Sequence, residues 1–142
     1  MIRVWSFPAL FALAGLLLGA SSAARGETVT GALLAVFFLA LSFLNSPLFF
    51  PRSITSAEAL RRSGTDGRPV VYWRPGCQYC LRLRIRLGRR ARRAHWVNIW
   101  SDPDAAAAVR AVNDGNETVP TVLLDGRPHT NPDPAPLRAR LT

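Results

Sequence analysis

The chain has 142 residues, among them eighteen arginines, no lysine and nine acids, for a net charge of +9. That length leaves room for one compact domain plus accessories, and two cysteines are too few for a disulfide framework. The basic balance alone does not make a nucleic-acid binder, because no basic motif interleaved with aromatics is present; no nucleic-acid partner is expected.

The charges are unevenly spread. Residues 1–50 carry only Arg3, Arg25 and Glu27, whereas 51–142 carry the other sixteen arginines and eight acids. This divides the chain into a membrane anchor over 1–50, a linker with a short helix over 51–67, and a soluble domain over 68–142. A basic domain beside a bilayer also suits anionic headgroups.

Within the anchor, residues 4–24 and 29–50 are uncharged apart from Arg25 and Glu27 between them, and each is long enough to cross a hydrocarbon core as a helix. The expected arrangement is a transmembrane helical hairpin, stopped near Pro47 and Pro51. A rival reading makes residues 1–24 a cleaved signal peptide, with Ser22-Ala23-Ala24 as the small-residue site. Under either reading the arginine-rich domain is expected in the cytoplasm, the side that positive flanks favour.

Thr55-Ser56-Ala57-Glu58 has the form of a capping box and opens a short helix through Arg62. Ser63 to Gly67 is a break. Val70 to Trp73 predicts a β-strand, and Arg74-Pro75-Gly76 turns the chain into Cys77. From Gln78 to about Arg93 apolar residues alternate with arginines. Wound as a helix, Cys80, Leu81, Leu83, Ile85, Leu87, Gly88 and Ala91 share one broad face, with Arg84 and Arg92 intruding on it. His95 to Trp100 is a second strand, with His95 expected at a surface or edge. Asp102-Pro103 caps a helix through Val112. Thr118 to Leu124 is a third strand, Asp125-Gly126 a hairpin turn, and Arg127 to Thr130 a fourth strand. Asn131 to Asp133 caps a last helix reaching Leu141. The order is β-α-β-α-β-β-α after one leading helix, an α/β fold with two parallel strands and a terminal hairpin.

Cys77 and Cys80 form a C-x-x-C at the start of a predicted helix. The nucleophile in disulfide exchange is the thiolate. Cys77 sits where unpaired N–H groups and the helix dipole favour an anion, and Arg74 adds a positive charge on the same turn. Cys80 lies one turn on and less exposed, which suits an attacking and a resolving thiol. A zinc site completed by His95 and His129 is the alternative, but the histidines lack ligand spacing; no metal is expected.

The segment VVYWRPGCQYC, Val70 to Cys80, resembles the first strand and active site of glutaredoxins, and Thr118-Val119-Pro120 resembles that family's T-V-P. The resemblance implies a thioredoxin-like fold and a cis proline at Pro120 facing the C-x-x-C. It also implies a thiol-binding groove in which Thr118, Val119 and Pro120 hold a low-molecular-weight thiol, with Gln78, Tyr79 and Asn131 shaping the rim. Gln78 stands where the family usually has proline, and the glycine-rich G-G-x-D is replaced by His129-Thr130-Asn131-Pro132. Asn131-Pro132, the W-S-D-P at Trp100 to Pro103 and the N-E-T-V-P at Asn116 to Pro120 are similar to the actinobacterial branch that includes mycoredoxins. That branch uses mycothiol in place of glutathione. The expected activity is reduction of protein disulfides or thiol-mixed disulfides by a membrane-tethered enzyme. The alternatives are a thiol-ligated iron–sulfur cluster module and a non-catalytic membrane adaptor.

Overall fold

The computed structural model describes residues 2–141. The chain forms two compact units, 1–49 and 50–142.

In the first unit, helix α1 (Ile2–Ala24) and helix α2 (Thr28–Leu44) pack together. Residues Val4–Ala24 are long and apolar enough to cross a membrane by length and composition. Small residues set the helix–helix distance: a Cβ on Gly31 would lie 2.6 Å from the Gly19 carbonyl oxygen, and one on Gly15 would lie 2.7 Å from Phe38 Cβ. α2 is shorter than the stretch 29–50 expected to span, with 17 residues. Its end is set by side chains before Pro47 is reached. Asn45 Nδ2 donates to the Leu41 carbonyl at 2.9 Å and Ser46 Oγ to that of Phe43 at 2.7 Å, satisfying the last turn's free acceptors.

The second unit is an α/β sandwich. Its four-stranded sheet has the order β2-β1-β3-β4, formed by β1 (Val70–Trp73), β2 (His95–Asn98), β3 (Thr121–Leu124) and β4 (Arg127–Thr130). β1 pairs parallel with β2 and antiparallel with β3, and β3 pairs antiparallel with β4. The central strand β1 is buried at all four residues, which explains its unbroken apolar and aromatic character, and the edge strand β2 is buried at all four as well. The β3–β4 turn places Asp125 at φ 52° and Gly126 at φ 75°, the paired positive angles of a tight hairpin.

Residues 51–67, read above as a linker, pack onto this sheet. Ser53 bridges to Trp96 and the Ile54 N–H donates to the Trp96 carbonyl at 3.0 Å, covering the outer edge of β2. Phe50 stacks on Trp73 with centroids 3.8 Å apart, and Trp96 meets both rings edge-on. Thr55 caps helix α3 (Ser56–Asp66) by accepting from the Glu58 N–H. α3 runs four residues past the expected stop at Arg62, because Gly67 supplies the left-handed terminator. Its last residue, Asp66, bonds the buried His95 ring at 3.0 Å. His95 is therefore an interior side chain of an edge strand, not a surface one; a carboxylate in reach lets the imidazole be buried.

Helix α4 is also shorter than expected. It spans Gln78–Leu87, and Gly88, at φ 55° and ψ −131°, turns the chain into a 3-10 segment, Gly88–Arg93. Only glycine adopts that angle pair without penalty. Cys80, Leu83 and Leu87 face the core, Leu81 is half-buried and Ile85 is exposed. The apolar face drawn from the sequence was too broad: Ile85 lies about 140° from Cys80 around the helix axis. Helix α5 (Pro103–Ala111) is capped by Asp102, whose carboxylate accepts from the Asp104 and Ala105 N–H groups and, at 2.6 Å, from that of Ser56. Helix α6 (Pro134–Arg140) is capped by Asp133.

Leu83→Ala is expected to cost about 2–5 kcal/mol in chemical denaturation, and Ile85→Ala less than about 0.5 kcal/mol. Equal losses would contradict the assigned core face of α4.

Candidate functional site

The site is assembled where β1 runs out. After Trp73 the backbone turns through Arg74, Pro75 and Gly76, with Gly76 at φ 74°, a left-handed angle that a side chain would resist. Cys77 follows as the N-cap of α4. Its sulfur takes the place usually filled by a serine or aspartate oxygen, accepting the Cys80 N–H at 3.2 Å. In the thiol form Cys77 Sγ–H also donates to the Val119 carbonyl at 3.2 Å, across 42 positions of sequence.

That second contact brings the loop before β3 over the start of α4. The Val119–Pro120 peptide is cis. Val119 and Pro120 are buried, and the Pro120 carbonyl accepts from the Asn131 N–H at 2.8 Å. Asn131 sits at φ 47°, a left-handed angle that asparagine tolerates better than most residues. Arg74, Cys77, Gln78 and Tyr79 form one wall of a surface groove, and Thr118, Val119 and Asn131 help form the facing wall. Pro120 lies in the adjoining groove, reached past Tyr79 and Asn131. The sequence-predicted residues thus converge on one place, with Cys80 buried beneath it.

The electrostatics separate the two thiols. Cys77 is drawn down from the usual range of a free thiol to about 7. The largest cause is a hydrogen bond from the Cys80 thiol, which outweighs the opposing effect of partial burial; the N–H groups of Cys80 and Tyr79 add to it, and the charge of Arg74 comes last. Cys80 is pushed strongly upward, first by burial and then by the neighbouring Cys77. Each thiol therefore sets the other: Cys80 stays protonated because it is buried, and its proton stabilises charge on Cys77. Arg74 contributes less than the sequence suggested. Its guanidinium lies over the Trp100 ring, 5.7 Å from the centroid, rather than being held on the sulfur.

A supporting polar network was not legible in the sequence. Asn113, just after α5, donates from Nδ2 to the Val109 carbonyl at 2.8 Å and to Thr121 Oγ1 at 3.1 Å, and its Oδ1 accepts from Thr130 Oγ1 at 2.6 Å. Thr121 Oγ1 in turn donates to the Thr118 carbonyl at 2.8 Å. One amide side chain thereby ties α5, β3, β4 and the Thr118–Pro120 loop together. The asparagine, set in a turn-forming N-D-G-N run, reads from sequence only as a helix terminator. Among the described residues no group of histidine, cysteine and acidic side chains is arranged to hold a metal.

Cys80→Ala is expected to raise the midpoint of the pH dependence of Cys77 alkylation above about 7, whereas Cys80→Ser, which keeps a hydroxyl donor, holds it down. Arg74→Ala is expected to move it less than Cys80→Ala. A larger shift for Arg74→Ala would contradict the order of causes.

A glutaredoxin family model matches residues 70–129, a span that includes β1, the two cysteines and the Thr118–Pro120 loop. Two proteins from two strains of Mycobacterium tuberculosis, each provisionally named as a glutaredoxin, are 40% identical to the chain over 73 residues. The aligned stretch is 51% of this chain and 87% of each relative. No solved structure matches the chain. With nearly the whole length of those relatives covered and the two thiols brought together by an α/β fold, the chain belongs to the glutaredoxin family, whose members are thiol–disulfide oxidoreductases using glutathione-like thiols.

Proposed function

We propose that this protein is a membrane-tethered oxidoreductase that reduces protein disulfides, or mixed disulfides between proteins and a low-molecular-weight thiol, at Cys77 and Cys80. The observation that carries the reading is the contact set of the Cys77 sulfur: the Cys80 N–H and thiol on one side and the Val119 carbonyl on the other. A sulfur that ionises near neutrality at the mouth of a groove is a nucleophile at physiological pH.

In the proposed cycle the Cys77 thiolate attacks one sulfur of the target disulfide. A Cys77–substrate disulfide forms and the other substrate sulfur leaves as a thiolate. For a protein disulfide, Cys80 then gives up its proton and attacks Cys77 Sγ. The Cys77–Cys80 bond closes and the second substrate thiol is released; two external thiols later restore both cysteines. For a mixed disulfide, the small thiol itself attacks the Cys77 adduct, and Cys80 is not needed as a nucleophile. Thr118, Val119 and Pro120 hold the small thiol along its backbone, with Gln78, Tyr79 and Asn131 at the rim. Mycothiol is favoured over glutathione by the Asn131-Pro132 and N-E-T-V-P features.

The tether in this reading is α1, with α2 beside it as the second arm of a hairpin. The 17 residues of α2 stand at the lower end of the range that can span. The sixteen arginines after residue 50 favour the cytoplasmic side for the redox domain. That is a reducing compartment, consistent with a reductant.

Cys77→Ser is expected to abolish exchange on every substrate. Cys80→Ser is expected to keep reduction of small-thiol mixed disulfides and lose reduction of protein disulfides. Parallel assays on mycothiol and glutathione mixed disulfides read both the role split and the preferred thiol. Equal loss in the two variants on both substrate classes would falsify the role split, and faster turnover of the glutathione substrate would reverse the thiol assignment.

A further inference from the structure

Asn113 does not line the thiol groove, yet its side chain governs how the wall facing Cys77 is built. The residue follows α5 and is partly buried. Its amide can be oriented in only one way. The Val109 carbonyl, 2.8 Å away, only accepts, so the amide nitrogen must face it. The other hydrogen of that nitrogen goes to Thr121 Oγ1 at 3.1 Å. Thr121 receives a hydrogen bond there, which leaves its single proton for the Thr118 carbonyl, 2.8 Å away. The amide oxygen accepts from Thr130 Oγ1 at 2.6 Å.

The direction of this relay has a consequence at the groove. The Thr118–Val119 peptide bond is trans, so its carbonyl and its N–H point opposite ways. With the Thr118 carbonyl turned onto the buried Thr121, the Val119 N–H is turned to the other side. Among the described residues that N–H has no hydrogen-bond partner, although Val119 is only 5% exposed and lines the groove with Cys77. Main-chain donors of such buried residues are ordinarily paired. The Val119 carbonyl meets Cys77 Sγ at 3.2 Å, so the free donor stands within one residue of the reacting sulfur.

We propose that Asn113 is a positioning residue for the small-thiol substrate: through Thr121 it sets the plane of the Thr118–Val119 peptide and aims the Val119 N–H at a carbonyl oxygen in the cysteinyl part of the bound thiol. This deepens the function proposed above and rests on it. Glutathione and mycothiol both carry such a carbonyl, so the device serves either. Aspartate at position 113 would keep the shape and reverse the relay. A carboxylate only accepts, so the Thr121 proton would turn to it and the Thr118 carbonyl would be released. The groups that lower the Cys77 pKa all stand on α4 and the turn before it. The relay therefore acts on substrate binding and leaves the ionisation of Cys77 alone.

The test uses the full chain in detergent micelles and one reporter peptide joined in turn to mycothiol, glutathione or β-mercaptoethanol, the last of which has no carbonyl. Asn113→Asp and Thr121→Val are each expected to raise KM on the order of tenfold, the size of one lost hydrogen bond, for whichever of the mycothiol and glutathione substrates the wild type prefers, with kcat held within about twofold. KM for the β-mercaptoethanol substrate is expected to stay unchanged. Thr121→Ser, which keeps the hydroxyl, is expected to behave as the wild type. The two substitutions combined are expected to cost no more than either alone, since they break one relay. The midpoint of Cys77 alkylation is expected to stay at about 7 in every variant. A fall in kcat on all three substrates with KM unchanged is the mark of a chain that is merely less stable, and it would overturn the proposal. So would an equal rise in KM for the β-mercaptoethanol substrate, or no rise for any. The wild type separates the two readings: turnover of neither carbonyl-bearing substrate removes the proposed function and the relay together, whereas wild-type turnover with unaltered KM in the variants removes only the relay.

Discussion

The site depends on keeping one of two adjacent sulfurs ionised and the other protonated. Two thiols one helical turn apart would otherwise titrate as near equals. Here burial decides between them. Cys80 lies under the first turn of α4, where a charge would be costly, so it keeps its proton. That proton is aimed at Cys77, which sits half-exposed at the helix start and collects the free N–H groups there as well. Charge separation is therefore a consequence of depth in the fold, and the depth is set by which face of α4 packs on the sheet.

The rest of the unit holds this arrangement still. β1 is central and buried at every residue, so the turn that delivers Cys77 starts from a fixed point. The opposing loop is fixed separately, through Thr121, Asn113 and the Asn131 N–H that accompanies Pro120. The two anchor sets meet at the contact between Cys77 Sγ and the Val119 carbonyl. The aromatic cluster of Phe50, Trp73 and Trp96 fastens the segment before α3 to the same sheet.

Much of this was readable from local chemistry. The α/β class with a mixed four-stranded sheet follows from short β-branched runs alternating with capped helical stretches. The Asp125-Gly126 turn, the Asp102-Pro103 cap and the C-x-x-C after a strand each name their own geometry. What stayed hidden depended on tertiary partners. The exposure of Ile85 could not be told from that of Leu83 until the core face of α4 was known. His95 reads as a surface or edge residue; it lies in the edge strand, and its burial stays hidden because its partner, Asp66, is 29 positions away. The end of α2 at Leu44 rests on Asn45 and Ser46 turning back onto their own helix, which the nearby prolines masked. Arg74 stands close to Cys77 in sequence, but in the fold its guanidinium lies over Trp100, and the neighbouring thiol has the larger effect on Cys77.

The most direct measurement is the ultraviolet absorbance of thiolate in the fully reduced protein, followed across pH with both cysteines present. The account predicts one thiol ionising near 7 and a second that remains protonated well beyond the range of an ordinary cysteine. Two thiols ionising together at the value of a free cysteine would contradict it, since neither the helix start nor the buried neighbour would then be distinguishing the sulfurs.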